Sequence, residues 1–282
     1  MNGVIIINKP VGVSSNYAVV AVKKALNTKK VGHLGTLDPQ ASGVLPICVG
    51  KATKLFDYYL KKTKTYVTKF TFGKSTDTLD SEGQVVETNE HIPTKEEILS
   101  VLPSLTGELD QLPPKYSAKS VGGVRAYELS RKGINFELPT KKVSVFKFEL
   151  IKQIASDTFE FLIDCSSGTY IRSLARDLGL KCNSCAYMSG LVRTRSGEWT
   201  LDDAVSLDDI SSDKVIPLEK VLVCHKKVTV PDEFFDKLKN GNAIKFSMPN
   251  ESDFLLLCKG ELFGIADCVD EKIKVRINLY GG

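Results

Sequence analysis

The stretch Gly32–Gly43 reads GHLGTLDPQASG and leads directly into VLPICVG, Val44–Gly50. Glycine, proline and aspartate at this density mark an irregular loop, and the apolar run behind it reads as a buried strand. Asp38 is the one carboxylate of the loop, set among small residues. Two readings stand side by side. An aspartate before a proline is a favoured turn residue, because its side chain hydrogen-bonds the local backbone. A carboxylate flanked by glycines is also placed where a ligand can approach the backbone closely. No second carboxylate stands near it in sequence, so a glycosidase pair is not supported.

Working outward, VIIIN at Val4–Asn8 reads as a strand stopped by Lys9, Pro10 and Gly12. Ser14 and Ser15 offer N-caps for a helix carrying Val19, Val20, Val22 and Leu26. Downstream, a helix is expected over 51–60 and a strand over 65–73, where TYVTKFTFG alternates. Thr94 and Glu97 form a capping box for a helix through Leu102. Residues 111–142 break the pattern with paired prolines, paired glycines and seven Lys or Arg from Lys115 to Lys142, which reads as a functional surface excursion. A hairpin is expected from 143–154 and 158–165, then a helix from about Thr169. The acidic run 202–213 reads as helix plus linker. A short helix over 231–239 and strands at 254–258, 262–268 and 272–279 complete a small β-rich module.

Composition removes several classes. With 282 residues, 42% of them hydrophobic, the chain can bury a core without metal or disulfide staples. No apolar run approaches the roughly 20 residues of a membrane span, and no secretory signal opens the sequence. Seven scattered cysteines read as reduced thiols of a cytoplasmic protein. Cys182 and Cys185 form a lone CxxC without the further ligands a zinc site needs, and no phosphate-binding glycine motif follows a strand. Neither metal nor cofactor is expected. The net charge of +4 conceals an asymmetry: residues 1–200 hold 27 Lys and Arg against 19 Asp and Glu, while 201–221 hold 2 against 6 and the remainder balance. The positive part favours a polyanionic partner.

KPVGVSS behind the first strand, GHLGTLDPQASGVLPICVGKATK, KTYVTKFTFGKSTDTLDSEG, PPKYSAKSVGGVRAYELSRKG, CSSGTYIRSLARDLG and MSGLVRTRSGEW follow one another in this order. Together they resemble the bacterial TruB family of tRNA pseudouridine synthases over residues 3–200. The resemblance implies an α+β catalytic domain, residues 1–221, on a mixed, largely antiparallel sheet with flanking helices. It implies a small PUA-like β-barrel at 222–282, by position in the chain. The implied activity is isomerisation of uridine 55 in the tRNA T loop, acting on tRNA alone with no guide RNA, protein partner or membrane.

By motif match Asp38 is the family's catalytic aspartate, Arg172 of GTYIR its cationic partner, and Tyr66 the tyrosine that stacks on the target base and moves a proton. A cation beside a carboxylate favours the ionised form that a nucleophile or base needs. His33, Tyr170 and Leu191 match residues that hold the flipped nucleotide or line its pocket, and Lys9, grouped with them, matches a Lys-Pro pair that supports the loop. Lys115, Arg125, Arg131 and Lys132 lie in the segment matching the family's RNA-binding insertion. Two departures stand out: Tyr187 where the family often has histidine, and KCNSC at 181–185 in place of a glycine-rich linker. A chain ending near Lys220 is expected to modify tRNA with weakened binding.

Overall fold

A computed structural model describes residues 1–60, 62–116, 120–121, 124–125, 134, 136, 138–223 and 225–281, with the backbone alone at 60, 120–121 and 124–125. Its centre is a ten-stranded sheet. The strands run in the order Ile216–Pro217, Gly3–Lys9, Ala41–Val49, Ala186–Ser196, Lys64–Phe72, Thr158–Cys165, Lys141–Ala155 and Gly107–Gln111, with Val31–His33 and Trp199–Thr200 paired alongside. Every pairing is antiparallel except that of Ala41–Val49 with Ala186–Ser196, where Leu191 faces Ala41 and Arg193 faces Gly43. The expected mixed, largely antiparallel sheet is present.

The continuous apolar run at the N-terminus has a physical reason. Ile5 and Ile7 join a core covered by Ser15–Ala25, Lys95–Val101 and Ile171–Lys181, the helices of one face. Val4 and Ile6, pointing the other way, join a second cluster with Leu34, Tyr59 and Trp199. A strand buried on both faces cannot alternate apolar with polar. On its helix face the Lys64–Phe72 strand packs Phe70 against Phe161, with ring centroids 5.0 Å apart, and against Phe148 edge to face at 6.2 Å.

Local signals behave as read. Ser14 caps the first helix by accepting from the Tyr17 amide, and Thr94 with Glu97 forms both hydrogen bonds of the capping box. The acidic segment is a correction: 202–213 holds no α-helix, only the 3-10 turns Leu201–Asp203 and Ser212–Lys214. Its serines and aspartates bond each other and nearby amides instead, as Ser206 Oγ does in donating to Asp209 and accepting from the Asp208 amide.

The C-terminal module is a five-stranded sheet, ordered Lys227–Val230, Glu251–Cys258, Glu261–Val269, Lys272–Asn278 and Ile244–Lys245, curled into a half-barrel consistent with a PUA-like module. It has an inner core around Phe254, Leu256 and Phe263. Leu255, Ile265 and Leu279 face outward from it and, with Val221 and Leu222, complete the cluster around Trp199 and Tyr59. The position 221/222 therefore falls inside a shared apolar core. Ending the chain at Lys220 removes five buried side chains from that cluster, a loss on the order of 10 kcal/mol, comparable with the whole stability of a typical domain. Such a truncation is expected to unfold or aggregate at 37 °C, where the sequence alone suggested a working enzyme. A thermal melt within a few degrees of the full chain would contradict this.

Candidate active site

The loop bearing Asp38 enters the sheet at its one parallel junction, and it is held from several sides. Ser15 Oγ accepts from the Leu37 amide and donates to the Leu37 carbonyl, both at 2.8 Å. The Gly12 amide donates to Pro39 O at 2.8 Å. Lys9, wholly buried, donates from Nζ to the carbonyls of Pro10, Val13 and Pro39 at 2.9, 2.7 and 3.2 Å. Arg193 donates to Val44 O at 2.7 Å, Gly35 O at 3.2 Å and Thr36 O at 3.4 Å. Gly43 permits this closeness: its φ is +102°, and a Cβ there would stand 2.3 Å from the Arg193 carbonyl.

Asp38 meets Arg172 at 3.0 Å, with 37% of the aspartate side chain still exposed and 9% of the arginine. Arg172 also contacts Asp80 at 3.2 Å and donates to the carbonyls of Thr78 at 3.0 Å and Tyr116 at 3.1 Å. It occupies the first turn of the Ile171–Lys181 helix, which has no acidic residue there. A cation at that end opposes the helix dipole, and the two carboxylates offset it from outside the helix. Asp80 is buried and held by Thr78 Oγ1 at 2.5 Å and the Glu82 amide at 3.1 Å.

A cleft of ≈ 750 Å³ opens over this pair, lined by Asp38, Arg172, Tyr66, Tyr170, Leu191 and Arg193 among others. Tyr66 is buried, and burial pushes its phenol above the usual range while Arg193 opposes that shift. Tyr170 is fixed through its backbone: Gln111 accepts from its amide at 2.8 Å and donates to its carbonyl at 3.1 Å. Lys64 also borders the cleft, with burial lowering its ammonium to about 8.

Of the residues singled out on the sequence, Asp38, Tyr66, Arg172, Tyr170 and Leu191 come together here. His33 is not among the residues lining the cleft; it pairs with Ile47 in the Val31–His33 strand, its Nδ1 is buried with no hydrogen-bond partner among the described residues, and burial lowers its pKa. Lys9 lies wholly buried beneath the loop, where its ammonium holds the Pro10, Val13 and Pro39 carbonyls. Lys115 is exposed at the root of the excursion. The Arg125 side chain, Arg131 and Lys132 lie outside the described residues.

Sequence reasoning missed Asp80, Gln111 and Arg193. Asp80 stood inside the quoted STDTLDSEG, where the Thr78–Asp80 spacing was an available turn signal. Arg193 stood in GLVRT as an apparently ordinary strand cation, and nothing near Gln111 marks it.

Lys9 carries a pH signature. Burial lowers its ammonium to about 8 from 10.5, with Asp38 opposing the shift and Arg193 adding to it. The folded chain then releases this proton before the unfolded chain does, so stability rises with pH between about 8 and 10.5. Relative to Lys9→Met, the parent is expected to gain stability across that window, by at most about 3 kcal/mol. Parallel denaturant titrations at pH 7.5 and 10 check this, and equal differences at both pH values would contradict it.

A carboxylate–guanidinium pair thus opens on a cleft lined in part by the mixed sheet, and comparison with known proteins supplies the family. The profile described as "TruB family pseudouridylate synthase (N terminal domain)" matches residues 23–171, and the chain belongs to this family of isomerases. The tRNA pseudouridine synthase B of Bacillus licheniformis is 42% identical over 258 residues, covering 86% of this chain and 84% of the relative. That of Clostridium perfringens is 44% identical over 247 residues, with coverage of 86% and 84%. The fold is shared with a chain in the crystal structure of a Cbf5–Nop10–Gar1 complex, at TM-score 0.67 and 27% identity over 95% of this chain and 78% of that one. No helix among the described residues is long and apolar enough to cross a membrane.

Proposed function

We propose that this chain isomerises uridine 55 in the T loop of tRNA to pseudouridine, acting on tRNA in the cytoplasm without guide RNA or protein partner. The observation that carries the reading is the Asp38–Arg172 pair at 3.0 Å, open to a cleft walled by Tyr66 and Tyr170. A uridine stacked in a folded T loop cannot reach that pair, so the base is extruded at a cost of a few kcal/mol, offset by stacking and backbone contacts. Asp38 serves as nucleophile or base while the N1–C1′ bond breaks. The base turns, C5 bonds to C1′, the C5 proton leaves and N1 gains one. The net change balances without redox chemistry.

Arg172 orients Asp38, Tyr66 and Tyr170 contact the base, and Leu191 closes the apolar side of the pocket. His33 holds neighbouring T-loop nucleotides from outside the cleft. Lys115, Arg125, Arg131 and Lys132 meet phosphates from the excursion, and residues 222–282 meet the acceptor-stem side. Shape and unstacked bases then supply the selectivity.

Incubation with unmodified tRNA carrying tritium at C5 of its uridines tests the activity. One equivalent of tritium released to water per tRNA, without added RNA or protein, is the expected result. No release at saturating tRNA would overturn the reading.

A further inference from the structure

Arg193 is an unusual side chain for its surroundings. It is 1% exposed and the largest wholly buried side chain among the described residues. Among those residues no carboxylate comes within ion-pair distance of it; its donors go to the Val44, Thr36 and Gly35 carbonyls. A buried cation without a counter-charge is costly, and burial accordingly lowers its pKa. What faces it is Tyr66, its direct partner across the Lys64–Phe72 and Ala186–Ser196 strands. Directly opposed residues of an antiparallel pair project to the same face, and both residues line the cleft. Each favours the charged form of the other.

We propose that Arg193 is a positioning residue that acts through Tyr66, stabilising negative charge on the phenol oxygen during the proton transfer that completes the isomerisation. The proposal rests on the functional reading above. After C5 has bonded to C1′, the ring carries a tetrahedral C5–H and a C6=N1 double bond. Tyr66 gives its hydroxyl proton to N1, and the C6=N1 π pair becomes the new N1–H bond. The C5–H pair becomes the C5=C6 double bond, and that proton passes to the phenol oxygen, which restores the hydroxyl. Charge builds on the oxygen between gift and return, beside the guanidinium. Because the same guanidinium binds Gly35 and Thr36, it also sets the tyrosine in register with the Asp38 loop.

The test is single-turnover pseudouridine formation on tRNA carrying hydrogen or deuterium at C5 of uridine. Arg193→Gln keeps amide donors for the carbonyls and removes the charge. It is expected to slow formation roughly 10²-fold, the scale of a lost acid–base contribution, and to raise the deuterium isotope effect above the parent's, with tRNA affinity unchanged. Arg193→Lys keeps the charge without the planar fork, and is expected to fall between the two in both rate and isotope effect. A purely structural role would slow glycosidic cleavage and leave the isotope effect at the parent's value. Should Arg193→Gln not fold, the isotope effect of Arg193→Lys decides alone. An inactive parent would overturn the functional reading; an active parent whose variants keep its isotope effect would overturn the assignment of Arg193.

Discussion

Asp38→Asn is expected to bind tRNA with the parent's affinity and to form pseudouridine at least about 10³-fold more slowly, the scale of losing a nucleophile or base. The amide matches the carboxylate in shape. It carries no charge, and its nitrogen lone pair is delocalised into the carbonyl. The loop should keep its conformation, since what holds it are the Ser15, Lys9 and Arg193 contacts to neighbouring backbone. Binding survives because phosphate contacts and stacking supply most of it. A turn aspartate before Pro39 would give the opposite result, because asparagine serves nearly as well in such turns. Filter binding and single-turnover assays on one preparation separate the two, with deamidation excluded by mass spectrometry.

Arg172→Met is expected to cost both activity and stability, and the two losses should be separable. The substitution deprives Asp38 of its partner and leaves Asp80, only 6% exposed, without a cation. Removing one member of a buried pair costs about 3–5 kcal/mol, or roughly 10 °C in melting temperature for a chain of this size. Adding Asp80→Asn removes the stranded charge. The double variant should therefore regain much of the melting temperature and none of the turnover. If it recovered both, Arg172 would be serving the fold rather than the reaction.

The contrast between Asp38 and Asp80 shows what the sequence made legible. Asp38 sits in a contiguous string of small residues, and its partner Arg172 in another, so local motifs carried both. Asp80 matters through an arginine 92 positions away, and Gln111 through a backbone 59 positions away. Arg193 matters because a strand register sets it opposite Tyr66. No local pattern encodes such pairings. The same distinction holds for the fold. Helix caps at Ser14 and Thr94 are local and were readable. The acidic segment 202–213 departs from the expected helix because serine and aspartate bond their own backbone, a tendency the charge pattern does not display. The strand pattern after residue 222 marks a small module, while the apolar cluster joining Leu255 and Leu279 to Trp199 is a tertiary fact that no local pattern encodes.

Nucleotide-resolution mapping shows directly which uridine this chain converts. Unmodified tRNA is incubated with the purified chain, treated with a carbodiimide that marks pseudouridine, and read by primer extension. The expected result is one new stop, reporting uridine 55 of the T loop, that is absent with Asp38→Asn. A stop at another uridine, or the same stop with the Asp38→Asn protein, would contradict it.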